Sequence, residues 1–131
     1  MGVVIRGRVF SGTGVGRAFV SLKWVEDQIA SKLGFAPYPG TLNLRIDDRM
    51  SDRLKGLLER HRGITIEPID SSFYPGRCFR ARIGDRVEGA LVLPLVPNYP
   101  SDQIEIIAPF CLRKLLGLRD GQELSIEIIG D

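Results

Sequence analysis

The sequence is 131 residues long and 44% hydrophobic, with 18 Lys and Arg against 16 Asp and Glu. This length allows one buried core with little left for a second, so we expect a single domain over residues 1–131. The net charge of +2 argues against a dedicated nucleic-acid-binding surface, and no apolar run reaches the roughly 18 residues that span a membrane. Cys78 and Cys111 fit no metal spacing and favour free thiols, with a single disulfide as the alternative. We expect a soluble, cytoplasmic monomer.

The N-terminal segment combines a short strand with a glycine-rich loop. Residues 3–10 are β-branched and aromatic, which predicts a strand ending at Ser11 and Gly12. Residues 12–17 read Gly-Thr-Gly-Val-Gly-Arg, and residues 18–22 resume a strand-like composition, so the loop is predicted to join two strands. A P-loop would end in Gly-Lys-Ser/Thr and a dinucleotide-binding loop would open a helix, so both motifs are rejected. Backbone N–H groups and Arg17 can still hold a phosphate, but a flexible hairpin connection explains the glycines equally well.

A helix and a stiff connection follow this loop. Leu22, Val25, Ile29 and Leu33 share one helical face, and Gly34 is placed to end the helix. Residues 35–40 contain two prolines, each of which pushes its predecessor out of helical geometry, so an extended connection is expected there.

Residues 41–46 read as a strand with one apolar and one polar face. Thr41, Asn43 and Arg45 alternate with apolar residues and therefore point the same way. Thr41 and Asn43 present a hydroxyl and an amide oxygen side by side, which suits Mg²⁺. An ordinary half-buried strand shows the same alternation.

The remainder is predicted to be mostly strand. Ser51 is expected to cap a helix that ends near His61, and Pro109 to begin a short helix ended by Gly117. The proline-rich loop 94–103 is of the kind that frames ligands. Glu105 just beyond it is interpreted as a solvated edge-strand residue, with a functional role as the alternative. The other predicted strands cover 64–69, 77–83, 86–93, 104–107 and 123–129, with hairpin turns at 84–85 and 120–121.

Short strands, tight turns and three small helices predict a mainly β fold, a closed or nearly closed β-barrel with helices against its ends. Three motifs in order add to this: the glycine loop 12–17, the run from 33 to 44 with Pro-Gly-Thr-Leu-Asn-Leu, and residues 105–113, followed by Leu-Arg-Asp-Gly at 118–121. Together they resemble the archaeal CTP-dependent riboflavin kinases along nearly the whole chain.

This resemblance implies a six-stranded cradle-loop β-barrel with a few short helices. It implies transfer of the γ-phosphoryl of CTP to the 5′-hydroxyl of riboflavin, giving FMN and CDP. Glu105 would contact the flavin, orienting it or acting as a base, and Thr41 and Asn43 would bind Mg²⁺. The nucleotide-binding positions would be Thr13, Gly14, Val15, Gly16, Arg17 and Ala18, together with Phe110, Cys111, Leu112 and Arg113.

The flavin loop departs from the family pattern. The family usually has Thr where this chain has Pro97, so Asn98 or Tyr99 is expected to supply the polar contact. Some relatives carry an N-terminal helix-turn-helix domain, and none is expected here. The alternative to a kinase is a non-catalytic barrel that acts as a nucleic-acid-binding regulator or as a flavin-binding module.

Overall fold

The computed structural model describes residues 2–12 and 14–129. Within these ranges the helices are α1 (Val15–Val20), α2 (Lys23–Leu33), α3 (Asp48–Arg60) and α4 (Leu112–Leu116). The strands over the same ranges are β1 (Gly2–Phe10), β2 (Leu42–Arg45), β3 (Ile64–Ile66), β4 (Gly76–Ile83), β5 (Val87–Pro94), β6 (Gln103–Ile107) and β7 (Glu123–Ile129).

The strands form an antiparallel sheet that closes on itself. Neighbours follow the order β3-β4-β5-β6-β2-β1-β7, and β7 pairs back onto β4. The register Ala81 to Ile128 marks this closure, while β3 pairs with the other end of β4, as in Ile64 to Cys78. Among the described residues, six strands therefore make the expected barrel and β3 is a short seventh strand beside it.

Alternating side chains divide the apolar residues into two clusters. One fills the barrel interior and includes Leu44, Leu91 and Ile106, each almost inaccessible to solvent. The other lies between the outer wall of the barrel and helices α1 and α2, where it includes Phe19 and Ile29. Residues of β2 and β6 that do not face the interior therefore point to the outer wall, and this includes Asn43 and Glu105.

The glycine loop leads into a helix, so the strand predicted at residues 18–22 is wrong. Gly14 precedes α1 with a left-handed φ of 92°, which turns the chain from β1 into the helix. Phe19 and Val20 are buried against the outer apolar cluster, and Phe19 meets Trp24 edge to face at 6.0 Å. The five residues 18–22, four of them apolar, carry too little periodicity to separate a helix from a strand, and tertiary packing decides.

The other elements follow the predictions with local differences. Gly34 ends α2 with a left-handed φ of 88°, as expected. Asp47 rather than Ser51 caps α3, because its carboxylate accepts a hydrogen bond from the Met50 N–H at 2.9 Å. The described residues hold four helices rather than three, α4 begins at Leu112 rather than at Pro109, and β3 ends at Ile66 rather than at 69.

The two thiols are free, as expected. Burial raises the pKa of Cys78 to about 12, so that thiol stays protonated and unreactive at neutral pH. No helix in the described ranges combines the length and the hydropathy required to cross a bilayer.

Candidate active site

A buried carboxylate forms the centre of a polar cluster on the outer wall of the barrel. Glu105 is only 1% exposed and lies on β6 between β5 and β2, so its interpretation as a solvated edge-strand residue is wrong. Its Oε1 accepts a hydrogen bond from the Thr41 hydroxyl at 2.5 Å, and its Oε2 accepts one from the Tyr99 hydroxyl at 2.5 Å. No Lys, Arg or His of the described residues forms an ion pair with Glu105.

The strand register places Asn43 beside Glu105. Asn43 pairs with Glu105 across β2 and β6, and with Phe10 across β1 and β2. Its side-chain amide makes no hydrogen bond to another residue of the described ranges, so its oxygen is available to a ligand. Thr41 lies two residues earlier, hence on the same face.

The glycine loop covers this polar cluster at very short range. A Cβ built on Gly12 would lie 2.4 Å from Oδ1 of Asn43, and one built on Gly16 would lie 2.0 Å from Oε1 of Glu105. Only residues without a side chain allow the backbone to approach these oxygens so closely. Gly12 and Gly16 therefore allow the loop to lie against Asn43 and Glu105. Gly14 has open space around it and instead allows the chain to turn.

A cleft of about 280 Å³ opens beside the cluster. It brings together three segments that are distant in sequence, namely α1, the start of β2 and the beginning of α4. Its walls are formed by Arg17, residues 38–42, Ile106, Ala108 and residues 110–113.

The two arginines on the cleft walls differ in whether they pair with a carboxylate. Arg113 donates to Asp120 at 2.7 Å, and this hydrogen bond is the main reason that the pKa of Asp120 is lowered. Arg17 has no ion pair with another described residue. Arg17 is therefore the cation of the cleft that is available to an anionic ligand.

The remaining predicted residues are placed less directly. Thr13 lies outside the described residues. Pro97 and Asn98 are exposed in the loop between β5 and β6, where Asn98 has a left-handed φ of 61° and does not line the cleft. Tyr99 is half-buried and turns its hydroxyl inward to Glu105, so of this loop Tyr99 is the residue that reaches the cluster.

Tyr38 is a site residue that the sequence analysis did not include. Its side chain is 42% exposed on the cleft wall, and Phe110 is 52% exposed on the same cleft. The N–H of Tyr38 donates to the Ala108 carbonyl at 2.8 Å, which fixes the proline-rich connection against the end of β6. The signal in the sequence was an aromatic residue between two prolines directly before the predicted ligand strand.

Comparison with known proteins identifies the family. The family model CTP-dep_RFKase, described as a domain of unknown function, DUF120, matches residues 9–128. The chain belongs to this CTP-dependent riboflavin kinase family. The expectation drawn from the three motifs is thus confirmed.

Curated relatives of this riboflavin kinase family are archaeal. Proteins named "Riboflavin kinase" from Archaeoglobus fulgidus and Pyrobaculum islandicum are 45% and 43% identical over 97% and 98% of this chain. One from Saccharolobus solfataricus is 36% identical over 96% of the chain. The chain spans 55% and 61% of the first two relatives and 74% of the third.

Proposed function

We propose that this chain transfers the γ-phosphoryl group of CTP to the 5′-hydroxyl of riboflavin, giving FMN and CDP. The observation that carries the proposal is the position of Glu105. This buried carboxylate contacts a hydroxyl next to the cleft on one side and a tyrosine of the β5–β6 loop on the other. Glu105 thus lies between the two proposed binding regions, as the transfer of a group from one ligand to another requires.

The cleft is the proposed nucleotide site. The first N–H groups of α1 have no acceptor within the helix, and with Arg17 they offer donors to phosphate oxygens. Tyr38 and Phe110 offer aromatic faces for the base, and Cys111, Leu112 and Arg113 complete the wall. Phosphoryl transfer depends chiefly on positioning and charge stabilisation, so the absence of a P-loop lysine does not count against the proposal.

The polar cluster fits Mg²⁺ as its cation. A buried carboxylate without a cationic partner is costly, and a cation near Glu105 would offset that cost. Thr41 and Asn43 would hold the cation with oxygen atoms, the donors that Mg²⁺ prefers, while water and phosphate oxygens complete its coordination. When bound, the cation would neutralise charge on the phosphates.

Riboflavin is proposed to bind on the Tyr99 side of Glu105. There Tyr99 lines an apolar recess of about 160 Å³ with Leu54, Leu58 and Leu93. Glu105 would accept a hydrogen bond from the ribityl chain and so orient the 5′-hydroxyl toward the nucleotide. Orientation is favoured over proton abstraction because both carboxylate oxygens already accept hydrogen bonds.

The test is direct. Purified protein is incubated with riboflavin and Mg²⁺, CTP, ATP, GTP or UTP is supplied separately, and FMN is measured by chromatography. FMN should form with CTP and be lost when EDTA removes the cation. Flavin binding without FMN formation from any nucleotide would instead indicate a flavin-binding module, and salt-dependent binding to duplex DNA without turnover would indicate a regulator.

Tyr38 provides a prediction about the nucleotide. The Tyr38→Ala variant should raise the KM for CTP about tenfold, because stacking of a base on an aromatic ring contributes about 1–3 kcal/mol. Tyr38→Phe keeps the ring and is the matched control, expected to retain the wild-type KM. The KM for riboflavin should be the same in all three proteins. A wild-type KM for CTP in Tyr38→Ala would show that the base does not lie on this residue.

A further inference from the structure

Three side chains from separate segments form one hydrogen-bonded chain. The Tyr99 hydroxyl donates to one oxygen of Glu105, and the Thr41 hydroxyl donates to the other. Tyr99 belongs to the β5–β6 loop, Glu105 to β6 and Thr41 to the start of β2. These two hydrogen bonds therefore connect the proposed flavin side to the proposed cation side.

We infer that Tyr99 is a positioning residue that couples riboflavin binding to cation binding through Glu105 and Thr41. This inference rests on the proposed function and adds to it a coupling between its two sites. It goes beyond the sequence-based expectation, in which Tyr99 supplies only a polar contact to the flavin.

In this set of three side chains, both hydroxyls donate toward the Glu105 carboxylate. A hydroxyl has one proton and two lone pairs, so when Thr41 donates to Glu105 its lone pairs remain for a cation. Both hydroxyls donate to Glu105 in the structure, one to each carboxylate oxygen. Burial, reinforced by the Glu105 carboxylate, raises the pKa of Tyr99, so its hydroxyl remains a donor at physiological pH. Removing a group that holds a metal ligand in this way typically lowers the metal affinity by about 10–100-fold.

Packing prevents Glu105 from escaping this arrangement. Gly16 approaches its carboxylate so closely that a single added Cβ would overlap it, and the residue is 1% exposed. The Tyr99 hydroxyl on the proposed flavin side and the Thr41 hydroxyl on the proposed cation side are therefore held by one carboxylate that has no alternative position. The coupling is reciprocal, since a cation that fixes Thr41 then favours the same carboxylate position.

The experiment measures riboflavin affinity by quenching of flavin fluorescence, with CDP present and either Mg²⁺ or EDTA. CDP replaces CTP so that no turnover occurs. Wild-type protein should bind riboflavin about tenfold more tightly with Mg²⁺ than with EDTA, within the range usual for coupled sites. In Tyr99→Phe, which keeps the ring and removes the hydroxyl, this ratio should fall to about twofold or less. Tyr74→Phe removes a hydroxyl from a half-exposed tyrosine and should keep the wild-type ratio.

Other outcomes separate the inference from the proposed function. The coupling would be overturned, even if FMN is formed, by either of two results. One is a Tyr99→Phe variant whose ratio of riboflavin affinities with Mg²⁺ and with EDTA equals that of the wild-type protein. The other is a wild-type protein in which that ratio is close to one. A loss of affinity in Tyr99→Phe that is equal with Mg²⁺ and with EDTA would show flavin contact without coupling. Should wild-type protein neither bind riboflavin nor form FMN, the proposed function itself fails. Glu105→Gln tests the same link from the carboxylate, and loss of the ratio is expected there as well.

Discussion

Asn43→Ala is expected to lower kcat for FMN formation by about 100-fold, the scale for losing a group that stabilises charge in the transition state. The stability of this variant should fall by less than about 1 kcal/mol, because the substitution breaks no side-chain hydrogen bond within the described ranges. The reason is that Asn43 points to the outer wall and makes no side-chain hydrogen bond within the described ranges. Turnover and thermal melting, measured on the same preparation, check both parts.

Thr41→Val serves as the comparison. It should reduce turnover similarly, but it also leaves one oxygen of the buried Glu105 without a donor, which costs about 1–3 kcal/mol. Thr65→Val, the same change on β3 outside the cleft, controls for the substitution itself. Equal losses of stability and activity in Asn43→Ala would contradict a role as a ligand.

Gly16→Ala is expected to weaken CDP binding, measured by calorimetry, by about 100-fold, the loss associated with a displacement of about 1 Å in a binding site. The added Cβ would lie 2.0 Å from Oε1 of Glu105, which Thr41 and Tyr99 hold in place. The loop must therefore move away from the cluster. The side chain of Glu105 cannot simply swing aside, because it is fully enclosed.

Two further variants test this cause. In a Glu105→Ala background the carboxylate is absent, so adding Gly16→Ala should change the affinity for CDP by no more than about twofold. Gly14→Ala introduces backbone strain of about 1–2 kcal/mol at a left-handed residue but meets no neighbouring atom. Its effect should be the same with and without Glu105. A Gly16→Ala effect that is likewise independent of Glu105 would contradict the steric explanation.

Strong local patterns made much of the fold predictable. Alternation placed Thr41 and Asn43 on one face, and the glycine after Leu33 ended α2 where expected. Pattern alone did not distinguish α1 from a strand, because the decisive contacts of Phe19 come from β4 and α2. It also missed the Asp47 cap, since Asp47 and Ser51 are both suitable capping residues and only the backbone path selects one.

The site was less accessible to sequence reasoning than the fold. Glu105 on an apolar strand looks like a surface residue until register places β6 between β5 and β2 and α1 covers it. Thr41 and Tyr99 are 58 residues apart in the sequence, and no spacing rule brings their hydroxyls to one carboxylate. The contact between Thr41 and Glu105 depends on the pairing of β2 with β6, two strands that are distant in sequence.

The polar cluster lies on the outside of the barrel, and the interior is filled with apolar side chains. On β2 the inward-facing residues build the core, whereas Asn43 on the outward face belongs to the proposed site. The exposed positions of α1, α4 and the β5–β6 loop border the proposed site without belonging to either apolar cluster. Under the proposed function, substitutions at those positions should change ligand preference at little cost in stability.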